Sequence, residues 1–185
     1  MKDLILVDNF KSWIDNQWID FLLHNHGDVL PKDFKDLDSS ASIDDVIWDE
    51  HVQSAFQGWD RTKIKCHSFR KHNFPFEVHL PIASEDKKFE WFFIKLLPGM
   101  GQPIHMDVPP NGRKFVDRIP VSDPSVTRYW MPLQDYEKGH VFIYEEKLIC
   151  NYKKGDLFRY HDEMAWHGPC NTSNNIRLTF NFTIW

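Results

Sequence analysis

The chain has 185 residues, 42% hydrophobic and 15% aromatic, with a formal net charge of −5. That length suits a single domain over 1–185 with a sizeable core, and the aromatic content argues against disorder. The acidic balance disfavours nucleic acid and anionic membranes as general partners, and no run approaches the ~20 apolar residues that span a bilayer. The apolar run at 4–7 is followed by Asp8 and Lys11 and is too brief for a secretory signal. Cys66, Cys150 and Cys170 show no CxxC spacing and read as free thiols of a reducing compartment. The expectation is a soluble, cytoplasmic protein.

Phe10, Trp13, Ile14, Gln17, Trp18, Phe21 and Leu22 fall at helical spacing. They predict an amphipathic helix capped by Asp8 or Asn9 and packed on a sheet. Ser42 can cap a second helix over 42–56, with Ile43, Val46, Ile47 and Ala55 inward. Strands are predicted at 62–69 and 76–80, so 1–60 reads as mostly helical support and 61–185 as a β-rich unit. From Phe89 the chain reads as strands at 89–97, 102–108, 127–133, 140–144, 148–152, 156–160, 165–167 and 176–185. Pro98-Gly99 and Lys154-Gly155 punctuate them as turns. Eight short antiparallel strands predict a mainly β fold, a double-stranded β-helix or jelly roll of cupin-like kind, with the N-terminal helices packed on one sheet.

The chemistry gathers near the end of the chain. His167 is followed by a turn-rich bridge, 168–175, and then by an alternating strand. In that strand Arg177, Thr179, Asn181 and Thr183 share one face, and Leu178, Phe180, Phe182 and Ile184 the other. Upstream, Ile104-His105-Met106-Asp107 sets a histidine and a carboxylate two residues apart, on one side of an extended segment. Two histidines and a carboxylate form the facial triad of non-haem Fe(II) oxygenases, which leaves positions open for a chelating co-substrate and O2. Arg177, expected to face a hydrated cavity, would pair with a carboxylate of that co-substrate, and Thr179 could donate its hydroxyl to the same group.

A bare His-X-Asp match is weak: with 10 histidines in the chain, about one arises by chance. His26-Gly27-Asp28 is such a match, placed where a helix ends, and His161-Asp162-Glu163 reads as loop. Of these, His105 lies in the β-rich region that continues to His167 and Arg177. Taken alone, Arg177 would read as a solvated strand residue. The long irregular segment 109–126 carries Arg113, Lys114 and Arg118, a basic cluster that is either surface or a holder of a substrate carboxylate. For Asn171, turn chemistry is the expected role. His51, His67, His72, His79 and His140 follow no ligand spacing.

The order His-X-Asp, distant His, Arg ten residues on and Thr two beyond resembles the 2-oxoglutarate/Fe(II)-dependent dioxygenases over about half the chain, from Phe89 onward. Arg128 opening its strand, the step Gly155-Asp156-Leu157-Phe158 before His167, and Asn171 four after it look most like the aspartyl/asparaginyl β-hydroxylase and proline hydroxylase branch. Trp130 stands where that branch usually has a histidine, and Asp107 is present where some members lack the carboxylate. The resemblance implies Fe(II) on His105, Asp107 and His167. It also implies 2-oxoglutarate held by Arg177 and Thr179 with help from Arg128, and O2 as oxidant. The product would be a hydroxylated Asp, Asn or Pro type side chain, on a free amino acid or a peptide, with succinate and CO2. Trp130, Arg113, Lys114 and Arg118 would then border the substrate. Two other readings stay open: a non-catalytic jelly-roll binding module, and a metal cupin enzyme that uses no 2-oxoglutarate.

Overall fold

The computed structural model describes residues 4–30, 66–82, 87–102, 104, 126–161 and 165–185. The predicted helix at 42–56 and the segment 105–125 lie outside them. Among the described residues, β1 (Ile5–Asn9), β2 (Asp28–Leu30), β3 (Cys66–Phe69), β4 (Phe89–Leu96), β5 (Thr127–Pro132), β8 (Asp156–Arg159) and β10 (Arg177–Ile184) form one antiparallel sheet, in the order β1-β8-β5-β10-β4-β3-β2. A second sheet, β7-β6-β9, is built from β6 (His140–Tyr144), β7 (Lys147–Ile149) and β9 (His167–Asn171). The fold is mainly β, a jelly roll of two antiparallel sheets.

Strand β10 is the spine of the large sheet. It pairs along its whole length with β4, from Arg177 opposite Leu96 to Ile184 opposite Phe89, and with β5, from Thr179 opposite Pro132 to Ile184 opposite Thr127. Its period-2 alternation puts Leu178, Phe180, Phe182 and Ile184 into an aromatic core shared with Phe69, Phe93 and Met131. One helix, α1 (Asn16–His24), covers that face through Trp18 and Leu22, spaced i and i+4. Asp15 caps it by accepting from the Gln17 N–H at 2.8 Å. Lys95, buried on β4, ends it by donating from Nζ to the Leu23 and Asn25 carbonyls, both at 2.8 Å. A nine-residue helix is marginal alone, so this packing and capping hold it.

Three expectations are corrected. The predicted helix is split: Lys11–Trp13 form a short 3-10 turn after Phe10, and the α-helix begins only at Asn16, while Asp8 and Asn9 belong to β1 and pair with β8. The Asn9 side chain donates to Asp156 at 2.7 Å and accepts the Lys11 N–H at 3.1 Å, so it serves the 3-10 turn and not α1. The N-terminal thirty residues thus supply two strands to the sheet as well as helical support. Residues 76–80 are irregular: Pro75 and Pro81 bracket them, the His79 carbonyl accepts from Trp13, and Phe76 packs on Phe21. The bridge after His167 is strand as far as Asn171, paired with β6, and turns only beyond it. Among the described residues no helix is long and apolar enough to cross a membrane.

Candidate functional site between the two sheets

The other face of the large sheet looks toward the small one. Arg177, Thr179, Asn181 and Thr183 stand on β10, and their partners on β5 place Trp130 opposite Asn181 and Arg128 opposite Thr183. From the small sheet, register sets His140 opposite Asn171, Phe142 opposite Pro169 and Tyr144 opposite His167. Trp130 joins the sheets: it stacks on Phe142 at 4.5 Å and meets Tyr152 edge-on at 5.3 Å. It is 1% exposed.

Arg177 lies over that indole, its Cζ 5.8 Å from the ring centroid, and is 2% exposed. The side chain expected to face a hydrated cavity is therefore buried. Its Nε and Nη2 have no hydrogen-bond partner among the described residues. Burial pulls the Arg177 pKa down from its ordinary value, while the neighbouring Tyr152 hydroxyl opposes that shift. Burial likewise raises the Tyr152 pKa against the lowering effect of Arg177. A guanidinium stays charged under such shifts, and an unpaired charged donor in a dry site costs more than the ~1–3 kcal/mol of a neutral one. Thr179 is 2% exposed and lies one pleat further on the same face.

His167 marks the other end. Its Nδ1 lies 2.9 Å from the Ala165 carbonyl, a contact that requires the Nδ1–H tautomer and leaves the in-plane lone pair on Nε2. That is how a metal-ligating histidine is oriented. Tyr160 and Phe142 wall the imidazole at 5.1 and 6.1 Å between centroids. The main chain just before His167 is tied to Glu145, which holds the left-handed φ of 52° in the β6–β7 hairpin. From there its N–H donates to the Trp166 carbonyl at 2.6 Å, and its carboxylate accepts the Trp166 N–H at 3.2 Å. Arg128 is at this end too, since its carbonyl accepts from the Tyr160 N–H. It sits six residues of β10 away from Arg177, roughly 20 Å of strand. The two arginines therefore serve different ends of the inter-sheet space.

His105, Asp107, Arg113, Lys114 and Arg118 lie outside the described residues. The chain reaches them from a definite direction. Gly99 N–H donates to the Asn171 carbonyl, Gly101 bridges Cys170, and Gln102 N–H donates to the Pro169 carbonyl, so this stretch advances along β9 toward His167. Among the described residues no three His, Cys, Asp or Glu side chains converge on a common point. The chance match at Asp28 is spent on the surface, where Asp28 pairs with His72 at 2.7 Å. Asn171 does turn chemistry: its amide donates to the Leu96 and Asn175 carbonyls at 2.9 and 2.7 Å and accepts from Ser173.

Two residues here carry no sequence motif, His140 and Tyr152. His140 is 1% exposed with Nε2 unpartnered among the described residues, and the Tyr152 hydroxyl donates to its carbonyl at 3.3 Å. The signal available was alternation: His140, Phe142 and Tyr144 share the face that pairs with His167.

No family model matches the chain, and no curated protein matches it. Among solved structures, those it is similar to include the following three. A predicted oxalate decarboxylase from Thermotoga maritima is 15% identical over 65% of this chain and 80% of that one, with a TM-score of 0.40. A cupin 2 conserved barrel domain protein from Salinispora arenicola is 11% identical over 68% and 83%, with a TM-score of 0.38. A sugar phosphate isomerase of a cupin superfamily from Silicibacter pomeroyi is 12% identical over 75% and 67%, with a TM-score of 0.40.

Proposed function

We propose that the chain is an Fe(II)- and 2-oxoglutarate-dependent dioxygenase that hydroxylates an unactivated C–H of an amino acid or peptide side chain, of Asp, Asn or Pro type. The observation that carries the reading is the buried Arg177, with two unsatisfied nitrogens beside an aromatic wall. A carboxylate would satisfy both nitrogens at once, and a dry site makes that pair strong. The tautomer of His167 fits an iron ligand through Nε2, with His105 and Asp107 as the expected partners. The course of residues 99–102 along β9 supports their approach to it. Iron, when bound, supplies the O2 chemistry.

The chain supplies orientation and dryness. Arg177 and Thr179 hold the far carboxylate of 2-oxoglutarate, while Trp130, Phe142 and Tyr160 exclude water between the guanidinium and the imidazole. Arg128, which the resemblance also assigns to the co-substrate, would have to reach it from the His167 end. Arg113, Lys114 and Arg118 are the candidates for a substrate carboxylate, and Trp130, walled in by aromatic rings, acts through the co-substrate instead. The test is Fe(II)- and O2-dependent formation of succinate from 2-oxoglutarate, stimulated by a free amino acid or peptide. The proposal expects activity in the native chain and its loss in Arg177→Met. A folded, iron-loaded chain that neither binds nor consumes 2-oxoglutarate would overturn it.

A further inference from the structure

His140 opens β6 on its inward face, at the same end of the inter-sheet space as the guanidinium. With Nε2 unpartnered among the described residues, the ring meets the main chain of Asn175 through its other nitrogen, and the carbonyl there accepts an N–H. Gly139, at φ 101°, makes the close approach possible: a Cβ there would come within 2.6 Å of the Ser173 nitrogen. Among the described residues the charged and titratable groups facing His140 are few. Arg177 on β10 sets a positive charge near it, and Glu137 in the preceding turn a negative one. Tyr152 binds its carbonyl, and neutral Asn171 lies opposite on β9.

We propose that His140 is the second contact of the anion held by Arg177, and that it takes up a proton as a carboxylate binds. The inference rests on the carboxylate-anchor reading of Arg177. Once the other nitrogen donates to Asn175, Nε2 of the neutral ring offers a lone pair alone. A carboxylate is also an acceptor, so contact requires the imidazolium, with a proton drawn from solvent. Without ligand, burial chiefly, aided by the Arg177 charge and opposed by Asn175 and Glu137, holds His140 below the ordinary histidine range. An anion lodged between the two cations screens their repulsion and attracts both, so the bound ring titrates higher. The sign follows by linkage. Affinity is greatest below the ligand-free pKa, falls about tenfold per pH unit between the free and bound values, and is level above the bound value. Co-substrate affinity is thereby tied to pH by a residue remote from the metal ligands.

Calorimetry of the full chain with glutarate, in buffers of unlike ionisation enthalpy near pH 7, tests this. Glutarate is a five-carbon dicarboxylate without the keto oxygen, so it reads the anchor and not the metal. The expected result is uptake approaching one proton per glutarate, lost in His140→Gln while binding persists. Ring nitrogen shifts of His140 in the unaltered chain give the same readout without a variant, moving from neutral to protonated as glutarate is added. Binding with no proton uptake and a ring that stays neutral overturns the inference and leaves the Arg177 anchor standing. Failure of both glutarate and 2-oxoglutarate to bind between about pH 5.5 and about pH 8 overturns the anchor and the inference together.

Discussion

The two faces of β10 are both buried and are buried differently. Toward α1, Leu178, Phe180, Phe182 and Ile184 meet Trp13, Trp91 and Phe93, and every atom there gains from leaving water. Toward the small sheet, Arg177 and Thr179 are as deeply buried, yet the guanidinium keeps two nitrogens without partners among the described residues. Burial by itself therefore does not separate structure from function on this strand. Satisfaction does. The first face is complete as it stands, and on the proposed reading the second is completed by an anion.

Substitutions sharpen that contrast. Phe180→Ala removes a 0%-exposed ring from the centre of the apolar face and should cost about 3–5 kcal/mol in denaturant unfolding. A loss below about 1 kcal/mol would mean the two faces are not so unlike. Asn171→Ala strips donors from the Leu96 and Asn175 carbonyls and an acceptor from Ser173, and should cost about 2–3 kcal/mol by the same assay. Arg177→Met should behave in the opposite sense. Removing a buried charge that has no counterion among the described residues should leave unfolding stability equal or raised, since apolar replacements of buried charge are often neutral or better. Its affinity for 2-oxoglutarate should nevertheless fall tenfold or more, about 1.5–3 kcal/mol. A large loss of stability with affinity intact would assign Arg177 to the framework.

Cys66 gives the smallest effect. Burial pushes its thiol up to about 12, so it should resist alkylation at about pH 8 while exposed Cys150 reacts. Its folded pKa exceeds the unfolded value of about 8.5, so its contribution to stability is full below that value and is lost as pH rises through it toward about 12. Mass spectrometry of partially labelled protein reads the order directly, and equal labelling of both thiols would contradict it.

Alternation was legible in the sequence because the period of a strand is local: Arg177-X-Thr179-X-Asn181-X-Thr183 falls on one face whatever its neighbours do. The turns at Gly99 and Gly155 were legible for the same reason, and both hold positive φ. The start of α1 was not. Residues 10–14 fit helical spacing as well as 16–24 do, yet only Lys11–Trp13 turn, as a short 3-10 helix, and extended backbone at Ile14 and Asp15 separates them from α1; β8, a partner far along the chain, takes Asp8 and Asn9 before them. His140 was missed on similar grounds. It has no ligand spacing, and its company (Arg177, Tyr152 and the Asn175 carbonyl) is assembled from separate strands and turns by tertiary pairing.

The central claim is that His167 and Arg177 are the two ends of one site, joined by a bound keto acid. Anaerobic titration of the Fe(II)-loaded chain with 2-oxoglutarate tests it most directly, because chelation of the metal by the keto acid gives a weak visible charge-transfer band. The account predicts that the band appears and saturates, is abolished in His167→Ala, and in Arg177→Met needs at least about tenfold more 2-oxoglutarate to reach half-saturation. A band that saturates identically in Arg177→Met, or a folded, iron-loaded chain that shows none, would contradict it.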